Sequence, residues 1–152
     1  DGVQVLGLDL SERSRPTLDA ALQLLPDTRV FVVTAYDVPY SSRAEIYAFG
    51  TGLIEQHAIA THRALSDAQH QLATAAAGER LCGSVVMRGD PRKLLVEQVR
   101  SLDAAYLTLG GAGLRAIRRW PDTTFGEVIR AVVPATDVDV LVINRPVQNS
   151  SR

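Results

Sequence analysis

The sequence is short of several residue types, and each shortage closes off a class of chemistry. It contains one cysteine, Cys82, so no internal disulfide can staple the chain and paired-cysteine zinc or redox motifs are excluded. Its one lysine, Lys93, follows Arg92 instead of a glycine, which removes the Gly-Lys-Ser/Thr element of a P-loop. Histidine occurs at His57, His62 and His70, at spacings of five and eight that do not match a helical zinc pair, and no H-E-x-x-H is present. No G-x-S-x-G elbow is available to activate a serine. Neither sign of charge dominates: 16 basic against 17 acidic residues give a formal net charge of −1, so no global field recruits nucleic acid or acidic lipid. No apolar run approaches the roughly 18 residues of a membrane span, and no secretory signal opens the chain. A single thiol in an apolar stretch suits a reducing compartment, so a cytoplasmic protein with a buried Cys82 is expected.

What is present suffices for one core. The 152 residues are 46% hydrophobic and 22% charged, and a chain of this size buries about 68–70% of its unfolded surface. One domain over residues 1–147 and a frayed tail over 148–152 are expected.

Val3 to Leu8 is an apolar run ending at Asp9, followed by a polar stretch with Pro16 near a helix start. Leu18, Ala21, Leu22 and Leu25 then recur at helical spacing until Pro26. Arg29 to Tyr36 is a second continuous apolar run, of the kind buried on both faces of a parallel sheet. Residues 37–52 are irregular, with a short helix at about 43–48. From Ile54, the series Ala58, Thr61, Leu65, Ala68, Leu72 and Ala75 steps alternately by four and three residues, a long amphipathic helix closed by Gly78. Leu81 to Met87 reads as the third strand. Asp90-Pro91 opens a helix with Leu95, Val99 and Leu102 inward, and Asp90 is accounted for as its cap. Ala104 to Leu109, a helix from Phe125 to Val133, and a strand from Val138 to Ile143 complete the pattern. Five strands alternating with helices predict an α/β fold: an open, five-stranded, mostly parallel sheet with helices on both faces.

Ligands of such sheets bind outside the carboxyl ends of the strands. Attention therefore falls on Asp9, on residues 35–37, on residues 87–90, and on the glycines Gly110, Gly111 and Gly113. Glycine lets backbone N–H groups close around a phosphate, and Arg115, Arg118 and Arg119 follow nearby. A plain tight turn beside a solvated basic face is the alternative account. Asp9 could accept a hydrogen bond from a ribose hydroxyl or hold a metal, or it could be a solvated loop carboxylate. Ser11 and Ser14 read as caps, and the histidines as a polar helix face.

V-L-G-L-D-L-S at the first strand, R-G-D-P-R-K-L-L-V-E-Q after the third, L-T-L-G-G-A-G at the fourth and the closing V-L-V-I-N-R-P together resemble the universal stress protein family, nearly end to end. The resemblance implies a Rossmann-like fold of the adenine nucleotide alpha hydrolase type. It also implies ATP or AMP as ligand, with Mg²⁺ as a companion of the phosphates, and a homodimer formed through the last strand, Val138 to Ile143. By resemblance Asp9 contacts the nucleoside, Ala35 and Gly89 border the adenine and ribose, and Gly110 and Gly113 hold phosphates.

ATP-binding members carry Gly, two residues, Gly, nine residues, Gly, then Ser or Thr. Here Thr123 stands at the third glycine and Thr124 keeps the hydroxyl, while a register on Gly126 would put Glu127 beside phosphate. The Cβ branch of Thr123 weakens the expected phosphate grip. The family also includes members without ATP, so a homodimeric interaction module is the alternative function. An enzyme on a related fold, such as an adenylating transferase, would need a base or metal pair near Asp9. None is identifiable, and ATPase activity is not predicted.

Overall fold

A computed structural model describes residues 2–36, 52–110 and 125–143 of the chain. The elements run β1 (Val3–Gly7), α1 (Ser14–Leu24), β2 (Arg29–Tyr36), α2 (Gly52–Ala77), β3 (Leu81–Arg88), α3 (Pro91–Ser101), β4 (Tyr106–Gly110), α4 (Phe125–Val132) and β5 (Asp139–Ile143). The sheet order is β3-β2-β1-β4-β5 and every pairing is parallel. The expected mostly parallel sheet is thus wholly parallel. The chain winds outward from β1 through β2 to β3, then returns across β1 to β4, so the switch point lies between β1 and β4. The short helix expected at 43–48, the 148–152 tail and the arginine-rich stretch lie outside the described residues.

Each face of the sheet carries its own core. One packs Val5, Val33, Leu107 and Leu109 against Leu95 and Val99 of α3 and Val128 and Val132 of α4. The other packs Leu6, Leu8, Val30 and Val32 against Leu18 and Ala21 of α1 and Ala73 of α2. A smaller cluster of Tyr36, Ala58 and Val86, with Leu65 beside it, lies under the first turns of α2. Both faces of β1 are covered, and its one polar side chain, Gln4, is fully buried. Gln4 Nε2 donates to Thr28 Oγ1 at 2.9 Å and to the Ala21 carbonyl at 3.3 Å, and Thr108 Oγ1 donates to Gln4 Oε1 at 2.9 Å. That amide ties β1 to α1, to the start of β2 and to β4.

The inward stripe of α2 departs from the sequence reading. Ala68 and Ala75 face solvent, and Gln69 and Ala73 are buried. Alternating steps of four and three average 3.5 residues per turn, whereas a straight helix turns in 3.6 and drifts by about 20° per heptad from that pattern. Gln69 is retained inside because its amide donates to Thr34 Oγ1 at 3.0 Å, to the Val85 carbonyl at 2.9 Å and to the Val32 carbonyl at 3.4 Å. Gly78, at φ +54°, ends α2 as expected, and Arg80 then reaches back to the α1–β2 turn. Its guanidinium donates to the carbonyls of Leu22, Leu25 and Thr28 at 2.7–3.1 Å. Cys82 is half-buried, not fully buried as expected, because β3 is an edge strand; its Sγ lies 3.3 Å from the Val30 carbonyl.

Gln69→Leu should therefore lower unfolding free energy by about 1–3 kcal/mol, since Thr34 Oγ1 and the Val85 carbonyl lose their buried partner. Urea unfolding of the two proteins checks this.

Candidate functional site

Parallel pairing brings the carboxyl ends of all five strands to one edge of the sheet. Gly7 is level with Val33 of β2 and Leu109 of β4, and Ala35 with Met87 of β3. The Leu8 N–H continues the ladder to the Val33 carbonyl at 3.0 Å. Asp9, two residues past Gly7, therefore stands at the level of Ala35, beside the end of β4 at Gly110. The structure brings Asp9, Ala35, Gly89 and Gly110 to this edge. Gly113, Thr123 and Thr124 lie outside the described residues.

Asp9 is the chemically distinctive member. Leu10 immediately after it has φ +63°, a left-handed conformation that costs a non-glycine residue roughly 1–2 kcal/mol. The reversal turns the chain back on the carboxylate: Ser11 N–H donates to Asp9 Oδ1 at 2.9 Å, and Ser14 Oγ donates to the same oxygen at 3.2 Å. Oδ2 is buried and has no hydrogen-bond partner among the described residues. Burial pushes the Asp9 carboxyl above its ordinary value, against the opposing pull of the Ser11 and Ser14 hydrogen bonds. The two serines serve the aspartate more than the helix. Arg13 is the N-cap of α1 with no side-chain cap bond, Ser14 is occupied with Asp9, and Ser11 Oγ accepts only the Arg13 N–H at 3.3 Å.

The glycines at this edge have packing reasons of their own. A Cβ on Gly110 would lie 2.7 Å from both Oγ1 and Cγ2 of Thr17, so α1 seats on β4 only where β4 has no side chain. Gly89 has φ +153°, which a side chain disfavours, and Leu94 fills the space beside it. Its N–H donates to the Tyr36 carbonyl at 2.9 Å, closing the end of the β2–β3 ladder. Ala35 is nine-tenths buried, and its small side chain keeps bulk away from the edge. Asp90 caps α3 as expected, accepting from Arg92 N–H at 3.0 Å; the Arg92 guanidinium also grips both its oxygens, at 2.7–3.0 Å, and holds its carboxyl below the ordinary range.

Among the described residues no group of His, Cys, Asp and Glu could hold a metal ion, and none of the described helices is long and apolar enough to cross a membrane. His57, His62 and His70 are exposed along α2. Sequence reasoning missed one contact there: Tyr36 Oη and His62 Nδ1 lie 3.2 Å apart, with the rings tilted at 5.7 Å between centroids.

The family model of the universal stress protein family matches residues 5–144. The chain belongs to that family. Among solved structures, it is similar to a universal stress protein in complex with cAMP, at 26% identity and a TM-score of 0.56, over 93% of this chain and 95% of that one. The universal stress protein UspA from Lactobacillus plantarum is 18% identical with a TM-score of 0.60, over 93% and 97% of the two chains. A family member from Arabidopsis thaliana with AMP bound is 12% identical with a TM-score of 0.53, over 98% and 95%. No curated protein sequence matches the chain.

Two measurements probe this edge. A carboxyl whose folded pKa is raised stabilises the fold only while it is protonated, so its contribution fades as pH climbs from the unfolded value near 3.8 through the folded one. Wild-type stability should therefore fall relative to Asp9→Asn between pH 4 and pH 7, as read by denaturant titrations across that range; parallel curves would contradict the burial argument. Gly110→Ala should destabilise the fold by about 1–3 kcal/mol through overpacking, and Thr17→Ala in the same chain should restore most of it, as thermal unfolding would show.

Proposed function

We infer that this chain is a small regulatory domain that binds an adenine nucleotide, ATP or AMP, at the carboxyl ends of its parallel strands. The observation that carries the reading is Asp9. A carboxylate held in place by two donors on one oxygen, with the other oxygen buried and without a partner among the described residues, is incomplete. Such an orphan is costly until a donor arrives, and a nucleoside offers donors in its exocyclic amine and ribose hydroxyls. The site also lies at the β1/β4 switch point, where open parallel sheets bind ligands, and the 26% identical relative is in complex with cAMP.

In this reading Asp9 Oδ2 accepts from the nucleoside. Ala35 and Gly89 border the base and sugar without bulk, and Gly110 and Gly113 are the residues assigned to the phosphates. Thr124 supplies a hydroxyl, and Thr123, branched where the ATP-binding pattern has glycine, loosens the phosphate grip. Mg²⁺ would come with the phosphates, since the described residues offer no carboxylate cluster of their own. In this reading the residues at the edge bind and orient the nucleotide, and the domain acts as a cytoplasmic sensor or switch.

A second reading rests on the outer edge of the sheet next to β4. β5 is an edge strand, and Val142 on it and Val133 just beyond α4 are 44% and 47% exposed. An edge with exposed apolar side chains is blunted by pairing with a second copy, which makes a homodimer through residues 138–143 the companion proposal.

Freshly purified protein should release an adenine nucleotide on denaturation, identified by mass spectrometry. In calorimetry, Asp9→Ala should bind ATP or AMP more than tenfold more weakly, a loss of about 1.4 kcal/mol or more; unchanged affinity removes Asp9 from the site. Thr123→Gly should tighten ATP binding, and sedimentation should find a dimer at micromolar concentration that Val142→Lys dissociates.

A further inference from the structure

Between the first turns of α2 and the ends of β2 and β3 lies a second recess, on the α1/α2 face of the sheet. It is a cleft of about 380 Å³ lined by Tyr36, Glu55, Ala58, Ile59, His62, Arg63 and Arg88, within the size range of small-molecule pockets. Its origin is in how α2 meets the sheet. From Leu65 onward the helix is seated through Gln69, Leu72 and Ala73, whereas in its earlier turns the positions spaced three and four apart, from Glu55 to Arg63, line the cleft. The floor is the small apolar cluster of Tyr36, Ala58 and Val86.

We propose that this cleft is a binding site, separate from the strand-end nucleotide site, for a small organic anion: a carboxylate or phosphate monoester carried on an apolar or aromatic body.

Three features point to that chemistry. The first is charge: among the described residues, Arg63, Arg88 and the imidazole of His62 line the cleft with one carboxylate, Glu55, which lies 3.7 Å from Arg88. Arg63 makes no ion pair among the described residues, and guanidinium groups match planar or tetrahedral oxyanions. The second is the apolar wall. Ile59 is 60% exposed beside buried Ala58 and Tyr36, and an isoleucine next to two arginines suits a ligand with an anionic head and an apolar body. The third is pre-organisation. Tyr36 is 5% exposed, and its hydroxyl holds His62 Nδ1 at 3.2 Å, which fixes the ring and leaves Nε2 as its second polar position. The cleft meets the strand-end edge where Gly89 N–H donates to the Tyr36 carbonyl, and none of the residues lining it is one assigned to the nucleotide, so the proposal does not rest on the nucleotide reading.

The test is an amide-shift titration of ¹⁵N-labelled protein with phenyl phosphate, benzoate and inorganic phosphate, each with and without adenosine, which keeps the nucleoside and lacks the anion. Phenyl phosphate or benzoate should shift residues 58–63 and Arg88, with inorganic phosphate markedly weaker, and adenosine should not displace either. Which of the two binds more tightly identifies the headgroup. Arg63→Glu, an exposed helix position that leaves the core untouched, should weaken the better ligand by about tenfold or more. The proposal is overturned if no shifts occur, if they centre on Asp9 and Gly110, if adenosine competes, if inorganic phosphate binds equally well, or if Arg63→Glu binds as wild type does.

Discussion

Everything in this molecule is hung on a strand that water does not reach. β1 pairs on both sides and is covered on both faces, and its side chains from Gln4 to Gly7 are buried. A fully enclosed strand can hold a polar residue only if its hydrogen-bonding capacity is met internally. Gln4 meets it with one residue from each neighbour: Thr28 ahead of β2, Thr108 in β4 and the Ala21 carbonyl in α1. The amide fixes the register of the three central strands as well as their adjacency, because a slip of one residue would turn it to the other face. The position of Asp9 follows, since it lies five residues along the same rigid strand and its continuation.

The carboxyl edge is organised by exclusion as much as by attraction. Gly110 makes room for Thr17, Gly89 adopts a backbone conformation closed to side chains, and Ala35 contributes a single methyl group. Among the described residues, one carboxylate stands in that cleared space, fastened by the reversal at Leu10 and by two serine donors, with an oxygen left over. Glycines at such an edge are thus not evidence of phosphate binding by themselves. Gly110 is required by the seating of a helix whatever ligand comes.

Much of the fold was legible because its signals were local. The uninterrupted apolar run of Arg29 to Tyr36 gave the bounds of β2 directly, and the Asp90-Pro91 pair fixed the start of α3. Helices between successive strands implied parallel pairing. The inward face of α2 was not fully legible: a pattern of apolar residues cannot show that Gln69 turns inward, because its acceptors come from β2 and β3 and exist only after folding. The same limit applied at the site. Asp9 stood out as the polar end of an apolar run, but its unpartnered oxygen depends on Ser11, Ser14 and the backbone at Leu10, and a side chain's missing partner leaves no mark in a sequence. The Tyr36–His62 contact joins residues 26 apart and carries no pattern that spacing could reveal.

Arg80 gives the molecule a polarity. From the end of α2 it gathers the carbonyls of Leu22, Leu25 and Thr28, close to the Gln4 network, at the amino ends of the strands. Both candidate sites lie at the carboxyl ends. One pole thus concentrates buried hydrogen bonds that hold the strands in place, and the other carries the groups proposed to meet ligands. Since changes at well-separated sites combine additively, the two poles are free to vary independently: the ligand-facing end can be rebuilt over a foundation anchored at the opposite end of the same strands.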